Sequence, residues 1–109
     1  MTVYNSENTL VSLGDTAFQN YQNELVLNIP FVRYIGKYAF QDCLKLKTID
    51  FSNKTDSDIP VLASPLAFMK SDETSLVNDY FKILVPNSLY DKWINSPNWI
   101  IIQEHIEGV

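Results

Sequence analysis

Two side chains in this 109-residue chain have the chemistry of a catalytic centre, and each is the only one of its kind: Cys43 and His105. A nucleophilic thiol needs a base and a lowered pKa. Cys43 instead stands among the apolar residues of "YAFQDCLKL", and Tyr21, 22 positions earlier, could not share a nucleophile's role, so a buried structural thiol is expected. One cysteine permits neither an intrachain disulfide nor a cysteine-based metal site. His105 has no Gly-x-Ser-x-Gly, no His-Glu-x-x-His and no second histidine to complete a triad or a zinc site, so it reads as a surface or cap residue. The stretch "DFSNKTDSD" (50–58) alternates acids and small oxygen-bearing residues, as calcium loops do. The EF-hand register also requires a central glycine and a terminal glutamate, and neither is there, so a solvated loop is expected. Within it, Asn53-Lys54-Thr55 fits the N-glycosylation triplet. Trp93 and Trp99 have rings that stack on sugars, but their place near the C-terminus points to burial. Gly14, Gly36 and Gly108 lie too far apart for a phosphate loop. No catalytic residue, cofactor site or metal site is therefore expected.

The bulk composition narrows the partners. Hydrophobic residues make up 46% and charged residues 19%, the balance of one globular domain spanning 1–109. A net charge of −5 repels phosphate backbones and anionic lipid, so neither nucleic acid nor membrane insertion is expected. The closest basic grouping, Lys45 and Lys47 with Lys37 nearby, is too thin to form a patch. The start "MTVYNSENTL" lacks the basic and apolar regions of a signal peptide, and no apolar run reaches the ~18 residues of a membrane span.

What organises the chain is an internal repeat. Shifting "LVSLGDTAFQNYQNELVLNIP" (10–30) by 22 positions lays it without gaps on "VRYIGKYAFQDCLKLKTIDFS" (32–52). Gly14, Ala17, Phe18 and Gln19 fall on identical residues, and Leu13, Leu27 and Ile29 fall on Ile35, Ile49 and Phe51. A looser third copy carries Ala67-Phe68 and the alternating "FKILVP", with an insertion of about six residues in "SDETSLVND". Each unit reads as a short helical turn at Gly-x-x-Ala-Phe, with the glycine freeing the bend, followed by a strand. In "LKTIDF" Ile49 and Phe51 share one face, Thr48 and Asp50 the other. Such a unit cannot bury its own apolar face, whereas stacked copies can, with their strands aligned in parallel. Repeats are placed at about 10–31, 32–58 and 59–86, followed by a cap at 87–109. In the cap Asn87 or Ser88 opens a helix carrying Leu89, Trp93 and Ile94, Pro97 ends it, and "NWIII" continues as a short extended or packed segment.

The pattern Ile35-Gly36-x-x-Ala39-Phe40-x-x-Cys43-x-x-Leu46-x-x-Ile49-x-Phe51 resembles the repeat of the BspA-like, or Treponema-type, leucine-rich repeat family. The first repeat departs from it at Tyr21 and Glu24, and the third lacks the glycine before Ala67. The ending "KILVPNSLYDKWINSPNW" is similar to the family's C-terminal cap. The resemblance covers residues 10 to 106. It implies an α/β fold: a short leucine-rich-repeat solenoid of about three repeats, with a parallel sheet, short helical turns and a C-terminal helical cap.

Family members are binding, adhesion and phage structural modules, so the resemblance implies a non-enzymatic interaction module of a bacterial surface protein. The alternative is a spacer or terminal cap of a phage assembly or a longer solenoid. Such a chain would be extracellular or at the cell surface as part of a longer protein, or virion-associated. In stacked repeats the outward strand positions form a row, the usual ligand face of a solenoid: Val26, Asn28, Thr48, Asp50, Lys82 and Leu84. That row and the 69–79 loop are expected to meet a protein or a surface glycan. An exposed first repeat near Leu10 and Leu13 is expected to favour self-association.

Overall fold

The structure, a computed structural model, describes the backbone of residues 2–5 and the whole of residues 10–109. Strands and turns alternate along the chain. β1 (Thr2–Asn5), β2 (Ser12–Leu13), β3 (Leu25–Asn28), β4 (Tyr34–Ile35), β5 (Leu46–Asp50) and β6 (Val61–Leu62) come first. A 3-10 helix (Pro65–Phe68) and β7 (Lys82–Val85) follow. A 3-10 turn (Asn87–Leu89), α1 (Tyr90–Ile94), a second 3-10 helix (Trp99–His105) and β8 (Ile106–Gly108) complete it.

The fold is mixed α/β with two parallel sheets. The larger has the strand order β1-β3-β5-β7-β8 and the smaller β2-β4-β6. The sequence offset of 22 is the strand register itself: Val26 pairs with Thr48, Leu27 with Ile49, Asn28 with Asp50, and Leu13 with Ile35. Longer loops stretch the later spacings, so Tyr34 pairs with Val61 and Thr48 with Lys82.

The Ala-Phe segments are the turns expected, and they repeat bond for bond. Ala17, Ala39 and Ala67 each donate N–H to the carbonyl three residues back, on Gly14, Gly36 and Ser64. Adjacent turns are laddered as strands are: Phe18 N–H donates to Ala39 O and Phe40 N–H to Ala67 O. Where the third copy lacks glycine, Ser64 Oγ accepts from Leu66 N–H and starts the turn instead. Phe18, Phe40, Phe68 and Phe81 stack at centroid distances of 5.7, 5.3 and 5.5 Å, and His105 closes the column on Phe81.

The core sits between the sheets and these turns. Leu25, Leu27, Ile49, Phe51, Ile83 and Val85 face inward from the larger sheet, Leu13, Ile35 and Leu62 from the smaller. Alternation buries every second residue of β3, which is why its period of two was readable.

Four expectations need correction. The smaller sheet was not foreseen, because two-residue strands are too short to show a period. The helical stretch expected to open at Asn87 or Ser88 is there, as a 3-10 turn (Asn87–Leu89) running into α1 (Tyr90–Ile94), but it ends at Ile94, short of Pro97. Of the two alternatives for "NWIII" the packed one holds, since Trp99–His105 is a 3-10 helix with Trp99 and Ile102 buried, and Ile106–Gly108 adds an unexpected strand to the larger sheet. Gly36 serves a different purpose from the one assigned to it: no glycine has a positive φ. Gly36 is glycine because an ideal Cβ there would come within 2.5 Å of Asp15 backbone atoms in the adjacent turn. Leu13 is buried and Leu10 half-buried, and the exposed apolar residues of the first repeat are Val11 and Ala17.

Candidate binding face

Parallel register brings the six outward residues together. Val26, Thr48 and Lys82 form one row across β3, β5 and β7; Asn28, Asp50 and Leu84 form the next. Lys82 is exposed and the other five are half-buried. Their neighbours along each strand turn inward, so the face stands on a close-packed support.

The chemistry of the rows is mixed. Asp50 spends Oδ1 on Ser52 N–H at 2.7 Å, which closes the turn after β5. Asn28 Oδ1 is buried and accepts no hydrogen bond. Lys82 Nζ pairs with Glu107 at 3.1 Å, both side chains being exposed. Glu107 continues the second row, since Leu84 pairs with it in register. The sequence reading missed Glu107 because 87–109 was assigned wholly to a cap. The signal was the inward–outward alternation of Ile106 and Glu107.

The 69–79 loop is a bonded structure tied to residues 42–46. Met69 and Leu76 form an antiparallel bridge, Lys70 N–H donates to Ser75 O, and Glu73 adopts a positive φ at the tip. Asp72 Oδ1 takes the N–H groups of Thr74 and Ser75, which hold its carboxyl below the usual carboxylate range. Asn78 ties the loop to the preceding turn. Its Nδ2 donates to Leu44 O and Leu46 O, and its Oδ1 accepts from Tyr80 and Phe81 N–H.

Other candidates resolve into structural roles. Cys43 is fully buried, and burial pushes its thiol up to about 11, away from the thiolate that reacts. Tyr21, Cys43 and Val77 hold one repeat position, each donating N–H to the preceding Phe18, Phe40 or Phe68 carbonyl. His105 bonds the Phe81 carbonyl through Nδ1 at 2.7 Å, so Nδ1 carries the proton. Trp93 and Trp99 are buried, as expected.

In the 50–58 loop Lys54, not an acid, is the organising group. Its side chain is 1% exposed and pairs with Asp56 at 2.7 Å, and this bond holds the Asp56 carboxyl below its usual range. Asn53 is exposed. Among the described residues no three His, Cys, Asp or Glu side chains converge to hold a metal ion, and no helix is long and apolar enough to cross a membrane. A groove of about 300 Å³ lies between residues 59–63 and 96–99, and none of the six row residues lines it.

No protein-family model, curated protein or solved structure matches the chain, so the chemistry of the face itself must suggest its use.

Proposed function

We propose that this chain is a short solenoid of leucine-rich-repeat type acting as a non-catalytic interaction module, closed at its C-terminal side by the 87–109 segment. The observation that carries the reading is the alignment of outward side chains from three neighbouring strands into two rows on a rigid support. Repeat architectures use such rows for recognition, because each stacked unit adds side chains to one surface. The rows offer an amide, a hydroxyl, a carboxylate, an ammonium and two aliphatic groups, which suits a protein or a surface glycan. A home at the bacterial surface or on a virion follows from the family resemblance.

Binding to an array of surface proteins and glycans tests the proposal, with Thr48→Lys and Leu84→Asp as variants. Both residues lie on the rows, and neither caps a turn. A partner that binds through the face loses roughly tenfold or more in affinity, about 1.4 kcal/mol, while the melting temperature holds. Binding unchanged by both substitutions would overturn the assignment of the face. Asp50→Lys is a poorer probe, because it also removes the Ser52 cap.

A further inference from the structure

We propose that the groove between residues 59–63 and 96–99 is a ligand site separate from the rows, and that it takes the acetamido group of an N-acetylated sugar. One wall of the groove is the outer edge of β6. Val61 and Ala63 N–H donate to Arg33 O and Ile35 O, on the side of β4. Leu62, between them, therefore turns its N–H and C=O to the open side. Its side chain is only 2% exposed, so its backbone is what lines the groove. Two of the three outward groups of this edge are taken. Leu62 O accepts from Asn98 Nδ2 and Pro60 O from Trp99 Nε1, both at 2.7 Å. The third, Leu62 N–H, lies between those seals and donates to none of the described residues. Asn98 adopts a φ of 68° and a ψ of −38°, crowded for a residue with a Cβ, in placing its amide there.

An incoming strand cannot add here, because it needs the carbonyls that are already occupied. What the edge lacks is one acceptor. That acceptor is neutral: none of the residues lining the groove is charged, so a carboxylate would lose water without gaining a counter-charge. The other polar groups lining the groove accept. Ser96 Oγ gives its proton to Lys92 O at 2.7 Å, which leaves its lone pairs for a ligand, and Asn98 Oδ1 is a second acceptor. One donor beside two acceptors complements a secondary amide, whose C=O accepts and whose N–H donates.

The apolar lining suits a methyl group. Ile59, Val61 and Pro97 supply branched and ring carbons. Trp99 is 1% exposed and offers no ring face on which a sugar lacking the acetyl group could stack. A peptide amide would bring flanking backbone N–H groups, and β6 has no free outward carbonyl to meet them. A sugar brings hydroxyls instead, which water meets at an open groove. A volume of about 300 Å³, at the low end for small-molecule sites, accommodates one monosaccharide.

NMR titration of the full chain with N-acetylglucosamine, up to about 50 mM, is the test, and a Kd of about 1 to 10 mM is expected. Saturable shifts should appear at the Leu62 and Ala63 amides and at the Trp99 indole N–H. Glucose and glucosamine should leave these signals in place. N-acetylalanine methylamide carries the same amide on a peptide frame and should bind about tenfold more weakly or worse. Ala63 is exposed at the groove, so Ala63→Trp should fill it and remove binding while the melting temperature holds. Thr48→Lys, on the rows, should bind the sugar as the unaltered chain does. The proposal is overturned by an absence of saturable shifts at Leu62, by an equal response to glucose or by equal affinity for the peptide amide. Binding that survives Ala63→Trp would overturn it too, as would a loss on Thr48→Lys, which would move the sugar to the rows.

Discussion

An ideal Cβ on Gly36 would lie 2.5 Å from the backbone of Asp15, while one on Gly14, at the same repeat position, meets nothing within 4 Å. The difference is neighbourhood, since Gly36 faces an earlier turn. Gly36→Ala should force the two turns apart and cost about 2 to 3 kcal/mol. Gly14→Ala should leave stability unchanged or raise it by about 0.5 kcal/mol, by restricting the unfolded chain. Thermal melts of both variants check the pair, and equal losses would refute the inter-turn explanation. The Lys54–Asp56 pair makes a second residue-scale case. Lys54 is buried, so Asp56→Asn would strand an ammonium and cost about 1 to 3 kcal/mol, less than a fully buried pair because Asp56 is partly exposed. Lys54→Met removes the charge itself and should cost less. The folded Asp56 pKa lies below the ordinary 3.8, so the pair's contribution is present above that value and is lost as pH falls through the folded pKa. Acid melts should show the wild type losing this advantage over Asp56→Asn below about pH 4.

At the scale of elements, the two tryptophans differ in what their N–H groups do. Trp99 Nε1 donates to Pro60 O and seals β6, whereas Trp93 Nε1 is buried without a partner. Both are packed around Phe51, at centroid distances of 6.3 and 5.0 Å. Substitution by phenylalanine removes similar volume from each, but only Trp99→Phe leaves a buried carbonyl unpaired. Urea titrations should find Trp99→Phe the more destabilising by about 1 to 3 kcal/mol, and the reverse order would refute the edge-sealing role. These elements also show what was legible beforehand. β3 and β5 were readable because each repeats an apolar–polar alternation at an offset of 22, and the turns were readable from Ala-Phe. Val26, Asn28, Thr48 and Asp50 followed from that offset, and Lys82 and Leu84 from the alternation of "FKILVP". The smaller sheet was hidden because Leu13, Ile35 and Leu62 are each a single inward residue in a strand too short to alternate. In the 87–109 segment the helical spacing of Leu89, Trp93 and Ile94 was legible, but β8 was not, because tertiary pairing of Ile106 with Ile83 draws the last residues into the sheet.

For the whole molecule, stacking makes stability a property of neighbours. β5 is flanked by β3 and β7, and the column from Phe18 to His105 crosses the entire described fold. A central strand has a hydrogen-bonded neighbour on both sides and an end strand on one, so opening should start at an end. The ends are unequal as well. At the C-terminal side Trp93 and Trp99 are buried, and Asn87 N–H donates to Val109 O while Val109 N–H donates to Val85 O. β1 is hydrogen-bonded only to β3 among the described strands. Native-state hydrogen exchange on a dilute sample should therefore be slowest at Ile49 and Ile83, intermediate in β8, and fastest in β1. The amides of β1 should exchange through openings at least about 2 kcal/mol below the global unfolding free energy. Uniform protection across all five strands would mean that the fold opens as a single unit, with the first pass as firmly held as the centre.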